Sequence, residues 1–212
     1  MNTFRRISLV LWVLLRSLPL ITWGRLLMPA VFAGSWTLLR AVGVEPPTAF
    51  VWSAVLAQAA HLYAVLPISV RRQRRLFGRA KGGLSWALPV YLALFALQIW
   101  MADPVVTQRI VSAACAVYVG IIVIGLCGDR MVLDRFAPVR ADSDVPLEFR
   151  YHLLRLYTLT AVLVLVVNES LLAAGTTLQM RVIVFSMLPI VLFYLFEIML
   201  RLTAPLTDET PS

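Results

Sequence analysis

Residues 71–102 read RRQRRLFGRAKGGLSWALPVYLALFALQIWMA. The basic positions Arg71, Arg72, Arg74, Arg75, Arg79 and Lys81 are followed by a run from Leu84 to Ala102 without one charge. A stretch of about 20 apolar residues is what crossing roughly 30 Å of hydrocarbon requires. The basic flank orients it, because Lys- and Arg-rich loops stay in the cytoplasm. The pattern recurs along the whole chain. Further basic clusters are Arg5, Arg6, Arg16 and Arg25, then Arg130, Arg135, Arg140, Arg150 and Arg155, with Arg201 after the last apolar run. Of the 19 Lys and Arg residues, the remaining three are Arg40, Arg109 and Arg181, near the alternate loops.

Composition points the same way. The 212 residues are 60% hydrophobic and 14% charged, with a mean hydropathy of +0.84. Soluble domains are nearer half apolar and a quarter charged. So much apolar surface in so short a chain calls for the bilayer as solvent, and for helices that satisfy their own backbone hydrogen bonds. The net charge of +8 and pI near 10.3 would suggest nucleic acid in a soluble protein. Here the charges fall in loops that topology requires to be basic, where they meet anionic lipid headgroups. No nucleic-acid partner is expected.

Six spans are predicted: Leu26 to Val42, Thr48 to Val70, Leu84 to Ala102, Ile110 to Cys127, Leu153 to Ala173 and Val182 to Leu200. The turns at Gly43 to Pro47, Asp103 to Gln108 and Gly175 to Arg181 are short and face outward. The connections Arg71 to Gly83 and Gly128 to His152 are longer and basic. Ahead of the spans, Ile7, Leu11, Leu14, Leu15 and Leu18 make one helical stripe opposite Arg5 and Arg16. Such a helix lies in the membrane interface, and Pro19 ends it. No cleavable leader is indicated, since Arg16 interrupts the first apolar run and no A-x-A site follows. All six tryptophans (Trp12, Trp23, Trp36, Trp52, Trp86 and Trp100) fall near a predicted interface, as an aromatic belt would.

The predicted fold class is therefore all-α. It is a polytopic integral membrane protein, a six-helix transmembrane bundle over residues 21–202. An N-terminal interfacial amphipathic helix (1–20) precedes it and a disordered cytoplasmic tail (203–212) follows. The expected location is a bacterial inner membrane with both termini cytoplasmic. The third and sixth spans, LPVYLALFALQI and LPIVLFYLFEI, resemble each other and would cross in opposite directions. The other two span pairs show no such likeness, so an inverted repeat has little support.

Polar side chains inside hydrocarbon are costly and are the default functional candidates. Gln58 and His61, three apart in the second span, form a candidate intramembrane polar site. The alternative reading is that each makes an interhelical hydrogen bond that only holds helices together. Gln98, Asn168 and Glu169 share a depth with Arg109 and Arg181 and form a candidate outer polar rim. It reads as a vestibule, a headgroup site or an interfacial ion pair. Glu197 and Arg201 make an i, i+4 ion pair at the inner face, in the better orientation.

Metal and haem sites find no support. His61 and His152 differ in predicted depth by roughly 15 Å, and no HExxH or C-x-x-C occurs. Cys115 and Cys127 are twelve apart on one predicted helix, about 18 Å, too far to bridge. No cofactor is expected. Asp129, Asp134, Asp142, Asp144 and Glu148 mix with arginines in the second inner loop without a phosphate-cradling spacing. Small residues Ala54, Ala57, Ala59, Ala60, Ala113, Ala114 and Gly120 are expected on inner packing faces.

Three functions remain open. The first is a non-enzymatic accessory, assembly or scaffold subunit with a membrane protein partner, whereas a homo-oligomer would favour the second. The second is a small-solute or ion permease or channel built on Gln58 and His61. The third is a lipid-modifying enzyme using the acidic loop. They part on one point. Polar residues converging on a water-filled cavity favour transport, and polar residues paired across helix contacts favour the accessory role.

Overall fold

The computed structural model describes residues 19–21, 23–77, 84–128 and 147–203. Among them are six α-helices and no strand: α1 (Trp23–Ala41), α2 (Pro46–Phe77), α3 (Leu84–Met101), α4 (Pro104–Cys127), α5 (Leu147–Ala173) and α6 (Leu178–Thr203). Three stretches, Pro104–Cys127, Tyr151–Ala173 and Leu178–Leu202, are long and apolar enough to cross a membrane, and Leu88–Met101 is a shorter apolar helix. They mark the chain as a membrane protein. α1 falls short because Gly24, Arg25, Ser35 and Arg40 dilute its 19 residues. The interfacial segment before Pro19, the acidic loop from Asp129 to Pro146 and the tail after Thr203 lie outside the described residues.

Helix limits differ from the hydropathy reading, mostly because a polar first turn lowers hydropathy without ending a helix. α4 starts six residues before Ile110. Asp103 caps it, its carboxylate accepting from the Val105 N–H at 2.7 Å, and Pro104 supplies a first position that needs no N–H partner. α6 starts at Leu178, with Thr177 Oγ1 accepting from the Met180 N–H. α2 runs on past Val70 to Phe77, since Arg, Gln and Leu are good helix formers and the first glycine beyond is Gly78.

The turns between helix pairs are tight. α1 and α5 end alike: the Val44 N–H reaches the Leu39 carbonyl and the Thr176 N–H reaches the Leu171 carbonyl. Gly43 and Gly175 occupy the left-handed position these closures need, at φ of 86° and 60°. Between α3 and α4 that position is filled by Ala102, at φ 49°. The Phe32–Phe50–Val182 cluster, and the bonds linking Gln108, Asn168 and Arg181, gather all three turns at one end of the bundle.

α1 packs closely on α2 and also on α6, and α4 packs on α5. Phe32, Phe50, Ala54, Ala57 and Val182 form the main core, with Phe50 edge-on to both Phe32 and Trp36. Ile122 and Leu154 form a smaller one between α4 and α5. Ala54 and Ala57 thus lie on a packing face as expected, whereas Ala113 and Ala114 are exposed. α4 instead buries Thr107, Gln108, Ser112, Ile122 and Gly125.

The exterior is apolar. Only 17%, 11% and 17% of the most apolar windows of α4, α5 and α6 are buried. α3 is the extreme case: Val90, Leu92, Ile99 and Trp100 are exposed, while the polar Gln98 is fully buried. That is a water-soluble helix turned inside out, as hydrocarbon solvent demands.

An L-residue in the left-handed region costs about 1–2 kcal/mol, partly offset in a glycine variant by the freer unfolded chain. Ala102→Gly should therefore raise the thermal midpoint of the detergent-solubilised protein, and Gly175→Ala should lower it. Circular dichroism melting of the three proteins checks that order.

Candidate functional site

Two polar groups and two cavities stand out among the described residues. The first polar group joins α2 to α3. Gln98 Nε2 donates to Gln58 Oε1 at 3.1 Å, and Gln58 Nε2 returns the bond to Gln98 Oε1 at 3.3 Å. A primary amide carries both donor and acceptor, so two of them close a ring without leaving a charge. His61 shares the helix but not the pair. It is exposed and lines a separate cavity. The sequence grouping of Gln58 with His61 is thus replaced by Gln58 with Gln98, the residue assigned to the outer rim.

The second group stands at the turn end and ties α4, α5 and α6 together. Asn168, fully buried, donates through Nδ2 to the Gln108 carbonyl at 2.8 Å and to Ser112 Oγ at 2.7 Å. The Ser112 hydroxyl in turn donates to Glu169 Oε1 at 2.6 Å, and the other carboxylate oxygen accepts from Arg109 Nη1 at 2.5 Å. Arg109 and Glu169 form an ion pair, with side chains 61% and 36% exposed. So exposed a pair adds little stability. Arg181 stays apart from it. Buried, it donates to Gln108 Oε1 at 2.7 Å and to Thr176 Oγ1 at 3.3 Å, both neutral.

The expected rim therefore assembles Arg109, Asn168, Glu169 and Arg181, loses Gln98 to α2, and gains Gln108 and Ser112. Those two were legible in principle. An Asp-Pro start at residues 103–104 puts Gln108 and Ser112 four apart on one face of α4. Gln108 Nε2, Asn168 Oδ1, Ser53 Oγ and Ser186 Oγ are buried without a partner.

Glu197 and Arg201 lie toward the far end of α6, half-buried and exposed. No cluster of three or more His, Cys, Asp or Glu able to hold a metal occurs among the described residues. Cys115 and Cys127 are free thiols.

The larger cavity, about 570 Å³, sits inside a ring of α1, α2, α4, α5 and α6. Gln58, Thr107 and Gln108 line it toward the turn end, and its walls are otherwise mostly aromatic and aliphatic. Pro29 and Pro189 line it too. Each lacks the N–H that would bond the carbonyl four residues back, at Arg25 and Phe185. The smaller cavity, about 470 Å³, lies between α1, α2 and α6 and includes Gly24, Arg25 and His61. The Arg25 guanidinium stacks on the Phe193 ring, 4.4 Å from its centroid, and both residues border both cavities.

Comparison with known proteins finds no matching family, no matching curated protein and no matching solved structure.

Removing one amide of the Gln58–Gln98 pair strands the other, at about 1–3 kcal/mol, whereas replacing both can be nearly neutral. Gln58→Leu and Gln98→Leu should each destabilise more than the double variant does. Unfolding in mixed micelles, read as a double-mutant cycle, measures the difference.

Proposed function

We propose that this chain is a non-enzymatic accessory or scaffold subunit of a membrane complex. Its six helices would cross the bilayer with both termini on the basic, cytoplasmic side. The observation that carries this reading is how the polar side chains are used. Gln58 bonds Gln98, and Asn168, Ser112 and Glu169 bond one another and α4. They are held across helix contacts, which is the work of glue. An unpartnered outward face is available on α3, where Tyr91, Leu92, Ile99 and Trp100 are exposed. This face, next to lipid or a partner helix, is where a second membrane protein would dock.

The permease alternative draws on the larger cavity, but Gln58 on its lining is bonded to Gln98, and His61 lines the smaller cavity instead. An enzyme would have to work from the acidic loop, which lies outside the described residues.

Affinity purification of the tagged full chain from its native membranes in mild detergent should recover a partner in fixed stoichiometry. A lone homo-oligomer would overturn the accessory reading in favour of the permease. Orientation has its own test. In a Cys115→Ala, Cys127→Ala background, a membrane-impermeant maleimide on intact cells should label Val105→Cys. Gly82→Cys should react only after permeabilisation.

A further inference from the structure

The two cavities meet at Arg25. It borders both, together with Met28, Pro189 and Phe193, and among the described residues it is the only Arg, Lys, Asp or Glu on either lining. The larger cavity is a deep apolar slot. Along α6 its wall runs from Phe185 to Phe196, about 16 Å at 1.5 Å per residue. Its volume of about 570 Å³ falls within the roughly 300–1,000 Å³ of small-ligand sites. One end of this slot is thus cationic, its walls are mostly aromatic and aliphatic, and Gln58, Thr107 and Gln108 line its turn end.

Among the described residues, Arg25 takes part in no ion pair. It lies in the first turn of α1, which holds no acidic residue. A cation there opposes the helix dipole, and an anion beside it would be favoured by both. Stacking on Phe193 orients the guanidinium but neutralises none of its charge. The smaller cavity next to it is walled by Gly24 and the His61 imidazole, and no carboxylate among the described residues lines it.

We propose that the two cavities together hold one single-tailed anionic amphiphile. Its oxyanion head, a carboxylate or a phosphate, lies in the smaller cavity against Arg25 and beside His61. Its tail runs past Met28 and Phe193 into the larger cavity toward Thr107. Tail burial alone drives little binding, because the bilayer is as apolar as the slot. Selectivity then comes from the charged head and from a slot that admits one chain. The ligand would be an integral part of the bundle, filling the space inside the helix ring. This site does not depend on whether a protein partner docks on α3.

Native mass spectrometry of the full-length protein in detergent tests the proposal with three probes of equal chain length: oleate, oleyl phosphate and oleyl alcohol. At least one anionic probe should bind one-to-one, and oleyl alcohol should bind at least about tenfold more weakly, as loss of a charge-assisted bond implies. Whichever anion binds more tightly identifies the headgroup. Arg25→Gln should weaken the anionic probe about tenfold and leave oleyl alcohol unchanged, while Arg25→Lys should keep most of the affinity. Val164→Trp and Leu188→Trp, two separate fillings of the larger cavity, should each abolish tail-dependent binding; circular dichroism and gel filtration report which variants fold. Equal binding of all three probes overturns the proposal. So does Arg25→Gln without effect, or unchanged binding in whichever tryptophan variant folds.

Discussion

Apolar side chains gain nothing by leaving a hydrocarbon solvent for one another, so a helix bundle in a bilayer is located by its few polar contacts and by close packing. In this chain, those contacts divide the labour. The amide ring between Gln58 and Gln98 fastens α3, whose other described side chains are largely exposed. The Asn168 fork fixes α5 on α4, and the Arg181–Gln108 bond fixes α6 on α4. Only the α1–α2–α6 core is assembled chiefly by aromatic and small apolar packing around Phe50. Loss of a polar contact would therefore shift a whole helix rather than loosen one side chain.

This division explains what could and could not be read from the chain. The helices were legible because uninterrupted apolar runs such as 84–102 admit no other structure in lipid. Their ends were not, since hydropathy discards polar first turns while capping and proline chemistry extend helices through them, as at Asp103–Pro104. The Arg109–Glu169 pair was within reach, because matching depth on neighbouring spans suffices to suggest it. The partner of Gln58 was not. Spacing along one helix gives the face that a residue shares, so His61 looked near. Which helix lies opposite that face is a property of packing, and α3 brings Gln98 there.

The cavities were invisible for a different reason. A cavity is missing volume, and no residue type announces it. Here it lies inside the ring of α1, α2, α4, α5 and α6, with Pro29 and Pro189 on its wall. Arg25, read only as one more member of a basic cluster, is then the residue whose position matters most, because it meets that volume at the join between its two compartments.

Helix length ties the turn-end network to the membrane surface. α4 has 24 residues and α6 has 26, or about 36 and 39 Å, against roughly 30 Å of hydrocarbon. Each overshoots by more than a turn, and Gln108 with Arg109 on α4 and Arg181 on α6 all lie within about 8 Å of the turn-end tip of their helices. A guanidinium bonded only to neutral oxygens, as Arg181 is to Gln108 and Thr176, is tolerable at such a depth and prohibitive at the bilayer centre. Its bond to Gln108 then sets α6 at one height relative to α4. Buried arginine and exposed ion pair thus hold the same depth by different means, one by anchoring helices to each other and the other by keeping its charge in water.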